Sequence, residues 1–426
     1  MKAVWLANVA TQMVDSIINE NKRSFFGGGW LDGLSERLLK NKDFELVYCY
    51  PLYTQKENLE GSRDNFKFYG FAADGKKLRK GVAGYETFEP YFEEILKKES
   101  PDIIHIHGTE FEYCYSMCRV AERLNMIDRV VISIQGLVGV YVNHLFAGMS
   151  AFDVRKCTIK ELLTQNSIYD TYKAYVRRGV FENKSIEMVH HVMGRTEWDK
   201  ACVALVNPNC VYHFSNETLR APFYEGTWKY SECTPHTIFA SQALLPLKGL
   251  HILLKAVAMI KDDYKDLKIE IAGQNIIDGD WISGSSYGMY IKKLIQKYGL
   301  QDNVVFLGPQ NAIQMKEHML KCNVFVSPST IENSPNSVGE AMLLGVPCIS
   351  SDVGGVTNMM NANDEGYIYP HDEHYMLAHY IKKVFDEKDA IAEMTCNAQR
   401  HARVTHNPNE NSFGVMEIYK NIIHNL

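Results

Sequence analysis

The chain has 426 residues, enough for two or three domains that each bury a core of their own. Its composition, with 46% hydrophobic and 23% charged residues, is that of an ordinary globular protein. The formal net charge of −6 argues against a dedicated nucleic-acid binder, so we expect no nucleic-acid partner.

Neither the N-terminus nor the cysteines suggest an exported protein. No apolar segment of signal-peptide length follows Met1, and no run of about 18 apolar residues occurs. We therefore expect a cytoplasmic protein. The ten cysteines show no repeated close-paired spacing, which predicts reduced core thiols. Cys114 and Cys118, one helical turn apart and downstream of two histidines, leave a metal site as the alternative.

Short apolar strands alternate with amphipathic helices, the pattern of parallel sheets covered on both faces. In the first half, the predicted strands are Ala3–Ala7, Phe44–Tyr50, Asp102–His107, Val130–Ile134 and Glu187–Met193. The predicted helices are Gly29–Leu39, Phe88–Lys98 and Phe111–Leu124. The stretch from Tyr50 to Gly84 is less regular and suggests a hairpin or a mobile excursion.

Three consecutive glycines, Gly27, Gly28 and Gly29, separate the first strand from the first helix. Glycines at such a place let the backbone approach a ligand and leave N–H groups free at a helix start. We count Gly28 and Gly29 as candidate binding residues. A flexible start of a packed helix is the alternative.

The strand Asp102–His107 ends in polar residues. Because His105 and His107 alternate with Ile106, both imidazoles are predicted on one face of the strand. His107 and Glu110 fall at the carboxyl edge, where open parallel sheets bind ligands. His107 is a candidate catalytic residue, Glu110 a candidate sugar or acceptor contact, and His105 is predicted to be a core histidine.

The second half repeats the alternation. Its predicted strands are Thr237–Ala240, Leu267–Ala272, Val304–Leu307 and Val324–Val326, and its predicted helices are His251–Ile260, Tyr290–Tyr298 and Val338–Leu344. A polar stretch from Asn216 to Pro235 is the predicted linker. We therefore predict domains at 1–215 and 216–404, with a C-terminal helix at 405–426 that packs back on the first domain.

The most specific motif is Ser327–Gly355, in which Glu332 and Glu340 bracket a turn that opens a helix. Free N–H groups of Asn336 and Ser337 suit a diphosphate, and carboxylates suit hydroxyls. Glu332 is thus predicted to reach a sugar, and Glu340 a ribose. The intervening Asn333, Ser334 and Pro335 shape the turn.

Glu332, Ser334-Pro335-Asn336, Glu340-Ala341, Gly345-Val346-Pro347 and Asp352-Val353-Gly354-Gly355 resemble the donor-site signature of retaining glycosyltransferases of the GT-B fold. The nearest likeness is to bacterial enzymes of capsule, exopolysaccharide and lipopolysaccharide biosynthesis, in the group 1 glycosyl transferases. The resemblance implies two Rossmann-like α/β domains whose parallel sheets face a central cleft. It also implies a UDP- or GDP-linked nucleotide-sugar donor as substrate, no cofactor and no bound metal.

The resemblance assigns further residues of the donor site. Lys248, before Gly249, matches a lysine that contacts the diphosphate, and Leu307 and Gly308 match the segment that holds the nucleotide base. The arginine usual before that lysine is missing, because Gln242 or Ala243 stands there. We retain Gln242 as a donor-site position. Loss of one cation weakens stabilisation of the leaving group, so Arg195 is a candidate substitute.

Gln135 stands where many relatives carry a histidine that contacts the transferred sugar. An amide can hydrogen-bond a hydroxyl but cannot carry a titrating proton. Gln135 is therefore a candidate sugar or acceptor contact, and Arg195 is a second candidate for such a contact.

Residues 152–184 mix lysines and arginines with aromatic and aliphatic residues. This amphipathic basic pattern suits the inner face of an anionic membrane and a lipid-linked acceptor. The solvated face of a surface helix is the alternative.

Together these features favour a retaining glycosyltransferase that uses a glycan or lipid-linked oligosaccharide acceptor in surface polysaccharide biosynthesis. Catalysis would rest on Glu332, Lys248 and His107. A catalytically silent sugar-nucleotide binding protein is an alternative, and a phosphorylase or an epimerase on the same fold is another.

Overall fold

A computed structural model describes residues 1–18, 29–53, 55 and 57–426. The chain divides into two compact units. The first unit comprises Met1–Val142, Lys173–Leu219 and His406–Leu426. The second unit comprises Asn143–Tyr172 and Arg220–Thr405.

The strands of the described residues follow in chain order: β1 Lys2–Leu6, β2 Glu45–Leu52, β3 Leu59–Arg63, β4 Phe66–Ala72, β5 Ile103–His107, β6 Val130–Ser133, β7 His191–Gly194, β8 Val211–Phe214, β9 Thr237–Ala240, β10 Lys268–Ile271, β11 Val304–Phe306, β12 Val324–Ser327, β13 Cys348–Asp352 and β14 Tyr367–Pro370. The α-helices of the same residues are α1 Gln12–Ile18, α2 Gly29–Leu38, α3 Gly75–Lys80, α4 Glu89–Glu99, α5 Glu112–Arg123, α6 Val138–Tyr141, α7 Ala151–Val154, α8 Ile159–Thr164, α9 Ile168–Met188, α10 Glu197–Val206, α11 Leu250–Ala258, α12 Ser286–Tyr298, α13 Ala312–Lys321, α14 Asn336–Leu344, α15 Val356–Met359, α16 His374–Asp386, α17 Lys388–Thr405 and α18 Pro408–His424.

The first unit is built on a sheet with the strand order β3-β4-β2-β1-β5-β6-β7-β8. Its paired strands run parallel except β3, which forms an antiparallel hairpin with β4. Strand β1 pairs with β2 on one side and β5 on the other, so the strand order reverses beside β1. Ligands of open parallel sheets bind at the carboxyl ends of strands on either side of such a reversal.

Side chains alternate between the two faces of this sheet. Val4 and Leu6 pack with α4 and α5 on one face, while Ala3 and Trp5 pack on the other face with α2 and α18. The indole of Trp5 donates a 2.9 Å hydrogen bond to the Tyr419 hydroxyl of α18. The C-terminal helix is thus part of the core of the first unit.

The second unit has a fully parallel sheet with the order β11-β10-β9-β12-β13-β14. The central strands β9 and β12 are mostly apolar, as expected for strands covered by helices on both faces, and Ile238, Phe239, Val324 and Phe325 are fully buried. The order reverses between β9 and β12. A ligand site in this unit is therefore expected at the carboxyl ends of these two strands.

The prediction of two Rossmann-like domains with parallel sheets is confirmed. The hairpin between Tyr50 and Gly84 is also present as β3 and β4. The predicted strand Glu187–Met193 is wrong at its start, because α9 continues to Met188 and β7 begins only at His191. The units also differ from the predicted domain boundaries, since residues 143–172 group with the second unit.

Five cysteines, including Cys114 and Cys118, are buried, and all ten are free thiols. The side chains of Cys114 and Cys118 belong to the core cluster with Val4, on the sheet face opposite the two histidines. Among the described residues, no helix has the length and hydropathy needed to cross a bilayer.

Candidate functional site

Two loops of the second unit meet where the strand order reverses. One follows β9 and carries Lys248, and the other follows β12 and carries Glu332. The Thr330 N–H donates a 2.8 Å hydrogen bond to the Leu247 carbonyl, which fixes the two loops to each other. Residues that lie 84 positions apart in sequence are thereby brought into contact.

Lys248 and Glu332 form an ion pair at this edge of the sheet. Lys248 Nζ lies 2.6 Å from Glu332 Oε1, and the Ser329 hydroxyl donates a 2.7 Å hydrogen bond to the same oxygen. Side-chain exposure is 32% for Lys248 and 12% for Glu332. An ammonium group that suits phosphate oxygens is thus placed beside a carboxylate that suits sugar hydroxyls.

Two glycines permit this close approach of the loops. Gly249 has φ +67°, and a Cβ atom there would lie 1.7 Å from the Pro328 carbonyl oxygen. Gly354 has φ +52°, and its Cβ atom would lie 1.9 Å from the Glu332 carbonyl oxygen. That same carbonyl accepts a 3.1 Å hydrogen bond from the Gly355 N–H. Any side chain at Gly249 or Gly354 would displace the backbone that carries Glu332.

Helix α14 begins directly after this loop. Its N-cap is Pro335, which makes no side-chain hydrogen bond to the first turn. The N-cap side chain therefore does not satisfy the N–H groups of the first turn, and the positive end of the helix dipole favours an anion there. Asn333 is buried within the turn, whereas Ser334 is partly exposed.

Glu340, on the second turn of α14, is bound by an arginine that the sequence analysis placed in the linker. Arg220 Nε and Nη2 donate to its two carboxylate oxygens, each at 2.6 Å. The Glu340 side chain is only 2% exposed, and burial raises its pKa although Arg220 opposes the shift. A ribose would have to use the remaining lone pairs of this carboxylate, and that role stays a prediction.

The other predicted donor-site positions lie on the same unit. Gln242 is exposed in the loop after β9. Leu307 donates its N–H to the Ile271 carbonyl, and the Gly308 carbonyl accepts from the Gly273 N–H, each at 2.9 Å. The loops after β10 and β11 therefore run side by side, with Gly308 at φ +74°. The second unit thus contains the predicted donor-site residues Gln242, Lys248, Glu332 and 333–340, together with the loops that carry them.

The remaining candidates belong to the first unit. Gly28 lies outside the described residues, and Gly29 is the first residue of α2. His107, Gln135 and Arg195 line one small cavity of about 30 Å³. Glu110 does not line it, and burial raises the pKa of its carboxyl.

The two histidines of β5 share one face of the sheet, as the alternation predicts, with ring centroids 3.7 Å apart. His105 is a paired core residue, because Nδ1 contacts the Tyr419 hydroxyl at 2.5 Å and Nε2 contacts the Ser133 hydroxyl at 2.6 Å. Burial lowers the pKa of His107 to about 3. The His107 imidazole is therefore neutral at pH 7.

Arg195 is held within the first unit. Nη1 donates a 3.2 Å hydrogen bond to the Ile134 carbonyl and lies 3.0 Å from Glu217 Oε1. Its role as a substitute for the missing arginine stays a prediction. Sequence reasoning did not identify Arg220 or Glu217, since a pairing across the fold leaves no local motif. Ser329 lies within the motif Ser327–Gly355, but it was not predicted to be a site residue.

Residues 231–401 match the family described as "Glycosyl transferases group 1". A D-inositol 3-phosphate glycosyltransferase of Streptomyces scabiei is 27% identical over 39% of this chain and 36% of its own length. The putative colanic acid biosynthesis glycosyltransferase WcaL of Escherichia coli is 26% identical over 34% of this chain and 35% of its own. These alignments with curated relatives thus span about a third of the relatives' length.

The fold likeness extends over the whole chain. HepE of Anabaena, solved in complex with UDP and glucose, superposes with a TM-score of 0.69 over 99% of this chain and 100% of its own, at 14% identity. At that identity the likeness concerns the fold alone. The matched segment contains Lys248, Glu332 and α14, the residues that form the site in the second unit. Within residues 231–401, the chain is therefore similar to the group 1 glycosyl transferases.

Proposed function

We propose that the protein is a retaining glycosyltransferase that moves a sugar from a nucleotide-sugar donor to a hydroxyl of a glycan or lipid-linked acceptor. The observation that carries the proposal is the pair Lys248–Glu332 beside the start of α14, whose N-cap Pro335 makes no side-chain hydrogen bond. One cation, one carboxylate and the amides of a helix start at a single sheet edge match the phosphates and hydroxyls of such a donor. The match of residues 231–401 to a glycosyl transferase family supports the same reaction.

The geometry supplies a role for each group. The donor diphosphate would lie against the N–H groups of Asn336 and Ser337, with Lys248 Nζ meeting the charge that builds as the glycosidic bond breaks. Glu332 would accept hydrogen bonds from the transferred sugar and fix its orientation. Charge compensation by Lys248 and by the helix start is the basis for proposing a reaction without a metal ion.

The anomeric configuration of the sugar would be retained because the acceptor hydroxyl attacks the anomeric carbon from the same face that the diphosphate leaves. The departing phosphate oxygen would take the proton of the acceptor hydroxyl, while the new bond forms to the anomeric carbon as the old one breaks. No protein nucleophile is needed in this scheme. The anomeric configuration of the product, read by NMR coupling constants, tests it directly.

We propose further that the protein acts in surface polysaccharide synthesis. Support comes from the E. coli relative, whose name refers to colanic acid. The acceptor would then be carried on a glycan or on a lipid at the inner face of the membrane.

An exposed apolar patch on the second unit supports membrane contact. The N–H groups of Ile159 and Lys160 donate to the carbonyls of Trp281 and Ile282, each at 3.0 Å, which joins α8 to the loop after β10. Exposed apolar side chains lie on these joined segments, namely Ile159, Leu162, Leu163, Trp281 and Ile282, and Phe152 is exposed on the preceding α7. Exposed aromatic and aliphatic groups beside lysines suit a membrane interface.

Donor-dependent transfer by the purified protein tests the central proposal. Glu332→Gln and Lys248→Ala should each lower kcat by about 10²–10³, the usual cost of removing one well-placed electrostatic group. Lys382→Ala is the matched control, because Lys382 also pairs with a carboxylate, Asp263 at 2.7 Å, but on an exposed surface. Unchanged transfer in Glu332→Gln would refute the role of that carboxylate.

A silent sugar-nucleotide binding protein is the second candidate, favoured by the exposed Gln242 in place of a cation. A protein of this kind would bind the nucleotide but would not transfer sugar from the donor to any acceptor tested.

A further inference from the structure

An arginine holds the carboxylate that is predicted to bind a ribose. Arg220 Nε donates to Oε1 of Glu340 and Nη2 donates to Oε2, each at 2.6 Å. A two-point contact of this kind fixes the carboxylate in the plane of the guanidinium, whereas a single contact would let it turn. The orientation of the Glu340 carboxylate therefore depends on Arg220.

Arg220 is itself held in place by its own segment of the chain. Its Cζ atom lies 4.8 Å from the centroid of the Phe223 ring, and Phe223 is fully buried. A 3-10 helix, Ala221–Tyr224, begins directly after Arg220 and contains Pro222, whose ring restricts the backbone. The guanidinium is thus positioned before any ligand binds.

Arg220 also influences the charge of Glu340. The Glu340 side chain is only 2% exposed. Burial raises the pKa of its carboxyl, and the hydrogen bonds and positive charge of Arg220 act against that rise. A protonated carboxyl carries a hydrogen on one oxygen and has fewer sites left to accept hydrogen bonds. By favouring the ionised form, Arg220 therefore keeps Glu340 a full acceptor.

The paired carboxylate can still accept two hydrogen bonds. Each carboxylate oxygen has two lone pairs. Arg220 supplies the hydrogen bonds that Glu340 accepts from the described residues, one on each oxygen. One lone pair thus remains on each oxygen. The 2′ and 3′ hydroxyls of a ribose are two adjacent donors, and a carboxylate also binds the ribose 2′ hydroxyl in dinucleotide sites on parallel sheets.

We propose that Arg220 is a positioning residue for nucleotide recognition. It orients Glu340 so that the carboxylate accepts from both hydroxyls of a ribose, and it thereby makes the site prefer ribonucleotides to 2′-deoxyribonucleotides. The inference rests on the proposed function, because that function supplies the nucleotide. The phosphates are left to Lys248 and the start of α14, so Arg220 acts on the ribose alone and only through Glu340.

Calorimetric titration of the full chain with UDP, GDP and ADP, and with their 2′-deoxy forms, tests the proposal. The wild type should bind its ribonucleotide at least about tenfold more tightly than the deoxy form, as expected for one hydrogen bond to a buried carboxylate. In Arg220→Gln, the ribonucleotide should bind about tenfold more weakly, and the preference for ribose should fall below about threefold. Arg220→Lys keeps the charge but not the two-point contact, so its preference should lie between those of the wild type and Arg220→Gln.

Two further comparisons separate positioning from a general loss of structure. Arg119→Gln is the matched control, because Arg119 Nε also lies 2.6 Å from a carboxylate oxygen, that of Glu89, but in the first unit. Its Cζ atom lies 5.1 Å from the centroid of the Tyr85 ring, and the variant should keep the wild-type preference. Glu340→Gln should lose the preference as Arg220→Gln does. The double variant should lose no more than either single variant, since Arg220 acts through Glu340.

An equal preference for ribose in the wild type and Arg220→Gln would overturn the proposal, and so would an additive loss in the double variant. Tighter ribonucleotide binding by Arg220→Gln would also overturn it, because the arginine would then compete with the ribose. If Arg220→Gln is unfolded, as judged by its Tm, an unchanged preference in Arg220→Lys has the same force.

The titrations also separate this inference from the proposed function. Nucleotide binding by the wild type without a preference for ribose would refute the role of the pair Arg220–Glu340 alone. Absence of binding by all three ribonucleotides would refute the donor site and the proposed function with it.

Discussion

Gly249 shows how a single residue controls the site of the second unit. Its φ of +67° is unfavourable for any residue with a Cβ atom, and that atom would lie 1.7 Å from the Pro328 carbonyl. Pro328 begins the loop that leads to Glu332. The absence of a side chain at Gly249 therefore sets the distance between Lys248 and Glu332.

Gly249→Ala should consequently destabilise the protein and disturb the site. We expect a loss of at least about 2 kcal/mol, or a fall in Tm of roughly 5 °C, together with weaker nucleotide binding. Gly414→Ala is the matched control, because no atom lies within 4 Å of its added Cβ in α18. Alanine there should leave Tm unchanged or raise it slightly. Equal Tm values for the two variants would contradict this account of the loop.

At the scale of elements, α9 crosses α6 at two glycines. A Cβ atom on Gly179 would lie 2.6 Å from the Gly139 Cα, so the backbones are in direct contact. Next to this crossing, the Glu182 carboxyl accepts hydrogen bonds from the N–H groups of Val138 and Gly139, at 3.0 and 2.8 Å. A buried carboxyl thus caps the short helix α6.

Glu182 should make the stability of the first unit depend on pH. Burial raises its pKa to about 8, whereas the pKa of a glutamate in the unfolded chain is about 4.3. The folded state therefore keeps a proton that the unfolded state releases, so this contribution to stability is complete below about pH 4 and is lost as pH rises towards 8. Tm of the wild type should fall between pH 5 and pH 8 relative to Tm of Glu182→Gln. Parallel Tm curves for the two proteins would contradict the raised pKa.

The elements themselves were largely predictable. Strands β9 and β12 and helix α14 follow from short apolar runs and helical periodicity, within two residues of their bounds. The start of β7 was missed because apolar residues near Met188 suit both a helix end and a strand. Partners such as Arg220 for Glu340, 120 residues apart, follow only from the topology. The cavity of the first unit likewise draws on distant segments, which no local motif reveals.

At the scale of the whole molecule, the exposed patch on the second unit predicts a peripheral interaction. Leu162 and Leu163 are 72% and 79% exposed on α8. Replacing both with serine should abolish flotation with liposomes that contain anionic lipid, and salt should weaken flotation of the wild type. Leu205→Ser is the control, since Leu205 is 87% exposed on α10 of the first unit. Absence of salt-sensitive flotation in the wild type would refute the proposed membrane contact.

Calorimetric titration of the purified protein with UDP, GDP and ADP, in the presence of a chelator, tests the central claim most directly. The account predicts that one nucleotide binds without metal, and that Lys248→Ala weakens its binding at least tenfold while Lys382→Ala does not. Failure of all three nucleotides to bind, or equal affinity in the wild type and Lys248→Ala, would contradict the donor site at the start of α14.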